Sequence, residues 1–321
     1  VIGGAGFIGS RLCVALAKLG YNVTIVDCCW FGFNVPKESY TSVIRVDYEK
    51  LPAEFFSAFD AVVLLAGHSS VKMCISDMGH SFRNNVSKMI SLLEKLEEMQ
   101  EKSKKRVRLI YASSSSVYGN ANASHQVNEQ FKIDAPNNYY DLSKWVIDLY
   151  GKLSKVESYG LRFGTVCGAS PNLRTDVMLN AMVTDAINRR EVRLFVEDIR
   201  RPVLGINDLC QAIIAIISHK QDKRGLYNLC SFNGTVKDYG MAVGKALQVP
   251  LKRYQIQQVE KMTNVKLQSK QYDFAIDSTK FQESFGFGFQ DTIESVIGDL
   301  VAATKDDTVI KGTRNIRRSA L

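Results

Sequence analysis

Tyr140-Asp141-Leu142-Ser143-Lys144 places a phenol and an ammonium four residues apart. On a helix they share one face, a turn apart. A cation beside a phenol favours the phenolate, so the pair is expected to bring the tyrosine pKa down from its usual value near 10. Tyr140 would then act as general base toward a sugar or alcohol hydroxyl, with Lys144 also placed to hold a ribose. The spacing alone is common by chance. It gains meaning from Ala112-Ser113-Ser114-Ser115-Ser116-Val117-Tyr118-Gly119, a serine run that ends an apolar strand. That is the edge where open α/β sheets bind ligands, and a hydroxyl there would bond the reacting oxygen.

A second constellation opens the chain. Gly3, Gly6 and Gly9 stand at G-x-x-G-x-x-G spacing, with Phe7 and Ile8 inside the same turn. Glycine permits a tight strand-to-helix turn and close approach of backbone N–H groups to a pyrophosphate, and the helix N-terminus adds its positive dipole end. Asp27 closes the next strand, 18 residues after Gly9. A carboxylate there would accept the ribose hydroxyls of NAD and repel the 2′-phosphate of NADP. Asp47 follows a further β-type run and either reaches an adenine amino group or caps the next segment. Leu65, Ala66 and Gly67 end another strand where the chain would pass over the cofactor. His68 follows, with a structural role at least as expected as a catalytic one. Asn85, on an inward helix face, would need a polar partner.

These side chains need a scaffold, and the periodicities supply one. Short apolar runs at 21–27, 42–46, 61–66, 107–112 and 158–162 read as strands. Helical stripes at 9–19 and 82–100 lie between some of them. Alternating strands and helices predict a doubly wound parallel α/β sheet of Rossmann type over 1–165, with a later contribution from about 203–230. Residues 166–202 and 231–304 are expected to form a smaller, interleaved α/β substrate domain; helices are expected at 178–190 and 208–217, with Asp208 at or near the N-cap of the latter. Residues 305–321 carry five basic and two acidic side chains and are expected to be a flexible tail. Val1-Ile2 would be the end of a first strand, so a few residues, roughly five, are expected to precede it.

Composition narrows the class. The chain has 321 residues, is 45% hydrophobic and carries a formal charge of +8. That suits a globular protein of two domains with anionic partners. No apolar run approaches the ~18 residues of a membrane span, and no signal peptide is legible. Seven cysteines are scattered among apolar residues without a C-x-x-C pair, as expected of buried free thiols in a reducing, cytoplasmic setting. No zinc or other metal site is expected, and the four histidines (His68, His80, His125 and His219) are dispersed.

With GGAGFIGS at 3–10, Asp27, LAGHSSV at 65–71, ASSSSVYG at 112–119, YYDLSK at 139–144, LRFGTVCG at 161–168 and RRPVLGINDL at 200–209, the chain resembles the extended short-chain dehydrogenase/reductase superfamily. The likeness is to its NAD-dependent epimerase/dehydratase branch, which acts on nucleotide sugars, and it extends over nearly the whole chain. The resemblance implies Ser114, Tyr140 and Lys144 as the catalytic set, NAD as cofactor, and a nucleotide-diphosphate sugar as substrate. It implies substrate contacts from Ser116, Thr165, Asn180 and Arg201. It also implies a homodimer in which two helices per subunit pair into a four-helix bundle; the candidates are 82–100 and 140–153. Three departures stand out. Thr165 occupies a position where Asn is frequent, Gly205 one where His is usual, and the late Arg-x-Gly-Asp element is replaced by Gln271-Tyr272-Asp273.

Related 4,6-dehydratases carry an Asp-Glu pair directly after the catalytic Ser/Thr, and decarboxylases usually a Glu at the second of those positions. Here both are serines, Ser115 and Ser116, whose hydroxyls cannot replace a general acid/base pair. The leading expectation is therefore a nucleotide-sugar 4-epimerase working through a 4-keto intermediate. The alternatives are a 4-keto-sugar reductase or a dehydratase, and, in a different class, a non-catalytic NAD-binding sensor, scaffold or RNA-binding protein. A pyrophosphate-bearing substrate suffices to explain the basic charge without nucleic acid or membrane.

Overall fold

The computed structural model describes residues 1–119, 121, 126–255, 272–306 and 308–312. His125, Gln271 and the tail cations Arg314, Arg317 and Arg318 lie outside the described residues. Helices in the first part of the chain are α1 (Phe7–Lys18), α2 (Val71–Ser76), α3 (Met78–Phe82), α4 (Lys88–Ser103) and α5 (Tyr139–Leu153). Strands there are β1 (Thr24–Val26), β2 (Ser42–Ile44), β3 (Ala61–Leu64), β4 (Arg108–Ala112) and β5 (Ser158–Phe163). Further on come β6 (Thr165–Cys167), β7 (Asn172–Arg174), α6 (Met178–Arg189), β8 (Val192–Leu194), β9 (Arg200–Gly205), α7 (Ile206–Ser218), β10 (Gly225–Leu229), β11 (Phe232–Thr235) and α8 (Val236–Leu247).

All strand pairs of the central sheet are parallel, with β10, β5, β4 and β3 side by side. Ile2 pairs with Leu64 on one side and Val26 on the other, which joins β3 to the β1–β2 pair. Alternation along each strand separates two cores. Val63, Ile110 and Leu161 point to the side covered by Leu12 and Leu16 of α1 and Ile213 of α7. Val62, Leu64, Leu109 and Tyr111 point to the other side, against Leu92 and Leu96 of α4 and Ile147 of α5. A third core packs α6 and α8 on β8 and β9 through Leu179, Val183, Leu194, Val203 and Val243. There β9 lies between β6 and β11, parallel to the first and antiparallel to the second.

Several boundaries differ from the sequence reading. The stripe at 82–100 is helical throughout, as expected, but it contains a π-helical turn, Arg83–Ser87, that joins α3 to α4 and turns Asn84 and Asn85 inward. Such turns accommodate an extra residue and recur at functional sites. The N-cap of α7 is Gly205, and Asp208 lies near it in the first turn, accepting from Ser231 Oγ at 2.6 Å and from the backbone of Gln290 and Asp291. The tail is not free where it begins, because Ile310–Gly312 pairs in parallel with β7 and Asn34 donates to the Thr308 carbonyl at 2.6 Å. Cys28 is exposed, whereas five other thiols are buried.

One interaction fastens α5 to the sheet. Arg162 of β5 donates to Asp148 of α5 at 2.8 Å, with both side chains buried. The same guanidinium donates to the Tyr118 hydroxyl at 2.9 Å, and that hydroxyl donates to Asn228 of β10 at 2.8 Å. Removing one partner of such a pair strands a buried charge, so Asp148→Ala is expected to cost about 3–5 kcal/mol in urea-unfolding experiments, a larger loss than for any exposed pair.

Candidate active site

The glycine turn is set by close contact. Gly3 has φ +83°, and a Cβ there would lie 2.5 Å from the Ala66 nitrogen. A Cβ on Gly9 would lie 2.1 Å from the Gly3 carbonyl oxygen, so only glycine lets α1 start this near the sheet edge. Gly6 caps α1 without a side-chain hydrogen bond, leaving the helix N-terminus facing a cleft. Gly3, Gly6, Phe7, Ile8, Gly9, Asp27, Asp47, Leu65, Ala66 and Gly67 all line that cleft, together with Cys28, Trp30 and Phe31. Asp27 accepts from the Ala5 nitrogen at 2.9 Å and the Cys29 nitrogen at 2.7 Å, which ties its carboxylate to the turn. A backbone-lined turn at a helix N-terminus with a carboxylate at the neighbouring strand end fits a dinucleotide. Asp47 caps the short turn Tyr48–Lys50 and pairs with the buried Lys88, so the capping alternative is realised at the cleft wall.

Asn85 lies elsewhere. It is buried, accepts from the His68 nitrogen at 2.7 Å and donates to the His68 carbonyl at 3.1 Å and to Ser143 Oγ at 3.2 Å. It holds the Gly67-His68 loop onto α5 and does not line the cleft. His68 is fully buried, within hydrogen-bonding distance of Ser81 and in a cluster of three rings with Trp30 and His80. Burial holds its imidazole down at about 4, so it is neutral at working pH.

A second cavity adjoins the cleft, sharing Phe7, Ile8, Leu65, Gly67, Ser69 and Arg174 with it. Ser114, Ser116, Tyr140, Lys144, Thr165 and Arg201 line this cavity. Asn138 starts α5 by accepting from the Asp141 nitrogen at 3.0 Å, which turns Tyr140 inward while Tyr139 stays exposed. Lys144 Nζ donates to the Ala112 carbonyl at 2.7 Å, at the end of β4, and lies 5.8 Å from the Tyr140 ring centroid. Ser114 caps the turn Ser115–Tyr118, accepting from the Ser116 nitrogen at 3.2 Å, and its hydroxyl lies 2.7 Å from Ser116 Oγ. Ser114 and Tyr140 face the same cavity.

The acid–base balance departs from the expectation. Burial pushes the Tyr140 phenol up to about 12, against the opposing effect of Ser114. Burial also brings the Lys144 ammonium down to about 8. In the protein alone the two groups are thus driven toward their neutral forms, because desolvation outweighs a cation whose head is engaged by a backbone carbonyl. Arg201 is likewise lowered by burial and lies with its guanidinium 5.8 Å from the Tyr272 ring centroid.

Asn180 is not brought to the cavity. It is 1% exposed and clamps the loop before α6, accepting from the Gly168 nitrogen at 3.0 Å and donating to the Arg174 carbonyl at 2.7 Å. At Gly205 a Cβ would meet the Asp291 carboxylate at 2.0 Å, which explains why no larger residue stands there. Residues that periodicity did not single out also line the cavity, notably Lys72, Arg174, Arg193, Phe195 and Tyr272. Tyr272 alone had a signal, as the replacement inside the missing Arg-x-Gly-Asp element.

The model of the NAD dependent epimerase/dehydratase family matches residues 1–230. A UDP-glucose 4-epimerase of Corynebacterium glutamicum is 25% identical over 255 residues, covering 73% of this chain and 75% of that protein. Among solved structures, the UDP-glucuronic acid 4-epimerase of Bacillus cereus, in complex with UDP-glucuronic acid and NAD, superposes with a TM-score of 0.78 at 20% identity. It covers 95% of this chain and 98% of that one. The NAD-dependent NDP-hexosamine 5,6-dehydratase TunA superposes with a TM-score of 0.80 at 20% identity, covering 96% and 97%. At that identity the two structures establish the shared fold, and their two reactions differ. The family match over most of the chain, the glycine turn and the Ser-Tyr-Lys cavity together lead to one statement: the chain belongs to the NAD dependent epimerase/dehydratase family.

Proposed function

We propose that the protein inverts C4 of a nucleotide-diphosphate sugar through a 4-keto intermediate. The observation that carries this reading is the presence of Ser115 and Ser116 hydroxyls beside Ser114, Tyr140 and Lys144 on one cavity wall. An elimination or decarboxylation needs a carboxylate at those positions. The two other acids of the wall, Asp176 and Asp185, are ion-paired with Arg174 and Arg193.

NAD bound along the glycine turn would accept a hydride from the sugar C4 and return it. The residues of this chain supply the rest. Tyr140 takes the proton of the sugar 4-hydroxyl and gives it back. Ser114 bonds the same oxygen. Lys144 holds the ribose nearest the reacting carbon, and its ammonium lowers the cost of the phenolate. Arg201 offers its guanidinium to the pyrophosphate and Thr165 a hydroxyl to the sugar, while the Ser116 hydroxyl is donated to Asp141. Asp27 receives the adenosine ribose. Turnover of the 4-keto sugar in the cavity presents its other face, so no further acid is required.

The exposed apolar residues of α5, Leu149, Tyr150 and Leu153, support pairing of two copies through α4 and α5. Sedimentation of the wild type is expected to give a dimer, and Leu153→Glu a monomer.

Incubation with UDP-sugars is expected to yield the 4-epimer with no net NADH accumulation; a 4-keto-6-deoxy product, or stoichiometric consumption of NADH, would overturn the reading. Tyr140→Phe is expected to lower kcat by about 10²–10⁴-fold while leaving the dissociation constant of the nucleotide sugar nearly unchanged. If catalysis and biological activity both survive that substitution, a binding role replaces the enzymatic one. Lys144 is protonated below about 8 and neutral above it. The affinity for NAD, measured by calorimetry, is therefore expected to fall as pH rises through that value, and Lys144→Met is expected to remove this dependence.

A further inference from the structure

The residue that follows Tyr140 is Asp141, and it is 2% exposed. It stands behind two hydroxyls that line the substrate cavity, those of Ser116 and Tyr272. Ser116 Oγ donates to one carboxylate oxygen of Asp141. The Tyr272 hydroxyl and Asn138 Nδ2, the latter at 2.6 Å, donate to the other. Ser116 Oγ is also 2.7 Å from Ser114 Oγ, and Ser114 lines the cavity together with Tyr140. A chain of hydroxyls thus leads from the wall that carries Tyr140 to a buried carboxyl.

We propose that Asp141 is a positioning residue that sets the direction of proton donation along the chain Tyr140–Ser114–Ser116–Asp141 and holds Tyr272 at the cavity wall. The inference rests on the reading of Tyr140 as the proton-transfer group. Its logic is one of counting donors. An ionised carboxylate only accepts, and a hydroxyl has one proton to give. Ser116 commits that proton to Asp141. The bond between the serines is therefore donated by Ser114, which is left with a lone pair to offer toward Tyr140 and the sugar. This arrangement suits the bound alcohol, whose hydroxyl is a donor.

Protonation of Asp141 reverses every bond. The carboxylic acid donates to Ser116, Ser116 to Ser114, and Ser114 gains a proton to offer to the Tyr140 phenolate or to a keto oxygen. When the reversal runs as a relay, each O–H along the chain breaks as the next one forms. The net change is one proton moved from Tyr140 to Asp141, with no electron transfer and no other reactant.

The surroundings permit this titration. Facing the carboxyl are the phenols of Tyr140 and Tyr272, the Cys74 thiol from α2 and, across the Tyr272 ring, the Arg201 guanidinium. Burial raises Asp141 above the ordinary carboxylate range, and the three donors to its oxygens limit the rise.

The test uses the full chain with Asp141→Asn, Ser116→Ala and the double variant, each checked for folding by thermal melting. In the wild type, kcat is expected to fall on the acid side as Asp141 takes up a proton. Each single variant should abolish that limb and lower kcat about tenfold, with KM changed less than twofold, as expected when one directional hydrogen bond is lost. The double variant should be no slower than the slower single one, because the chain acts as a unit. An acid limb that persists in both variants, or losses that multiply in the double variant, would overturn the proposal. If Asp141→Asn does not fold, Ser116→Ala carries the same test, since it cuts the chain and leaves the carboxyl with Asn138 and Tyr272. A readout without substrate separates this idea from the epimerase reading. The Asp141 carboxyl carbon, followed by carbon-13 NMR, should titrate at higher pH in Ser116→Ala, because the ionised form has lost a donor. An unchanged midpoint refutes the chain even if the wild type turns over no sugar; a raised one supports it whatever the reaction proves to be.

Discussion

The site depends on where α5 lies, and a buried ion pair decides that. Arg162 and Asp148 have no water to compensate them, so their attraction outweighs desolvation only if the remaining donors and acceptors are satisfied. Tyr118 and Asn228 take part in this, and they come from the turn after the serine run and from the last strand of the sheet. One network therefore registers α5 against β5, β10 and the segment that carries Ser114. Lys144 and Tyr140 lie one and two turns nearer the helix start, and Asn138 fixes that start. Apolar packing of Ile147 on Tyr111 and Leu109 presses the helix onto the sheet, but packing alone is compatible with small slides. The directional bonds are not.

Burial then shapes the chemistry. It raises Tyr140 and Asp141 and lowers Lys144, so each group tends toward neutrality in the protein alone. A site poised in this way responds strongly to added charge and to hydrogen bonds, because little water screens them. The serine chain matters for that reason. Ser115 and Ser116 remove the carboxylates that a dehydratase would present in the cavity, while Asp141 supplies a single carboxyl from behind, reached only through hydroxyls. Of the two serines that argue against elimination, Ser116 also connects Ser114 to a second titratable group.

How much of this was legible in the sequence varies from residue to residue. Gly3 and Gly9 were readable because a turn this tight excludes every side chain, and the spacing records the constraint directly. Strand and helix positions followed from periodicity, which reports burial. Asn85, Asn180 and Asp208 were read less well. A polar residue on an inward face needs partners, but the sequence does not say whether the partner is a ligand or the backbone of a distant loop. In these three cases it is the backbone. The π turn between α3 and α4 was hidden for a related reason, since it preserves apolar periodicity on either side of one inserted residue.

Local rules settled the parallel α/β architecture, the glycine turn with Asp27 beside it, and the pairing of Tyr140 with Lys144 on one helix face. Each is a matter of spacing within a few residues or of alternation along one element, and such spacings survive in any fold that uses them. The tertiary structure alone decided that Tyr272 and Arg174 stand at the substrate cavity, that Lys88 neutralises Asp47, and that Asp141 reaches Ser116. It also decided the direction of the pKa shifts, with Tyr140 rising where the adjacent lysine suggested a fall. Desolvation and long-range hydrogen bonds depend on what the rest of the chain places around a group, and no spacing along the sequence encodes that.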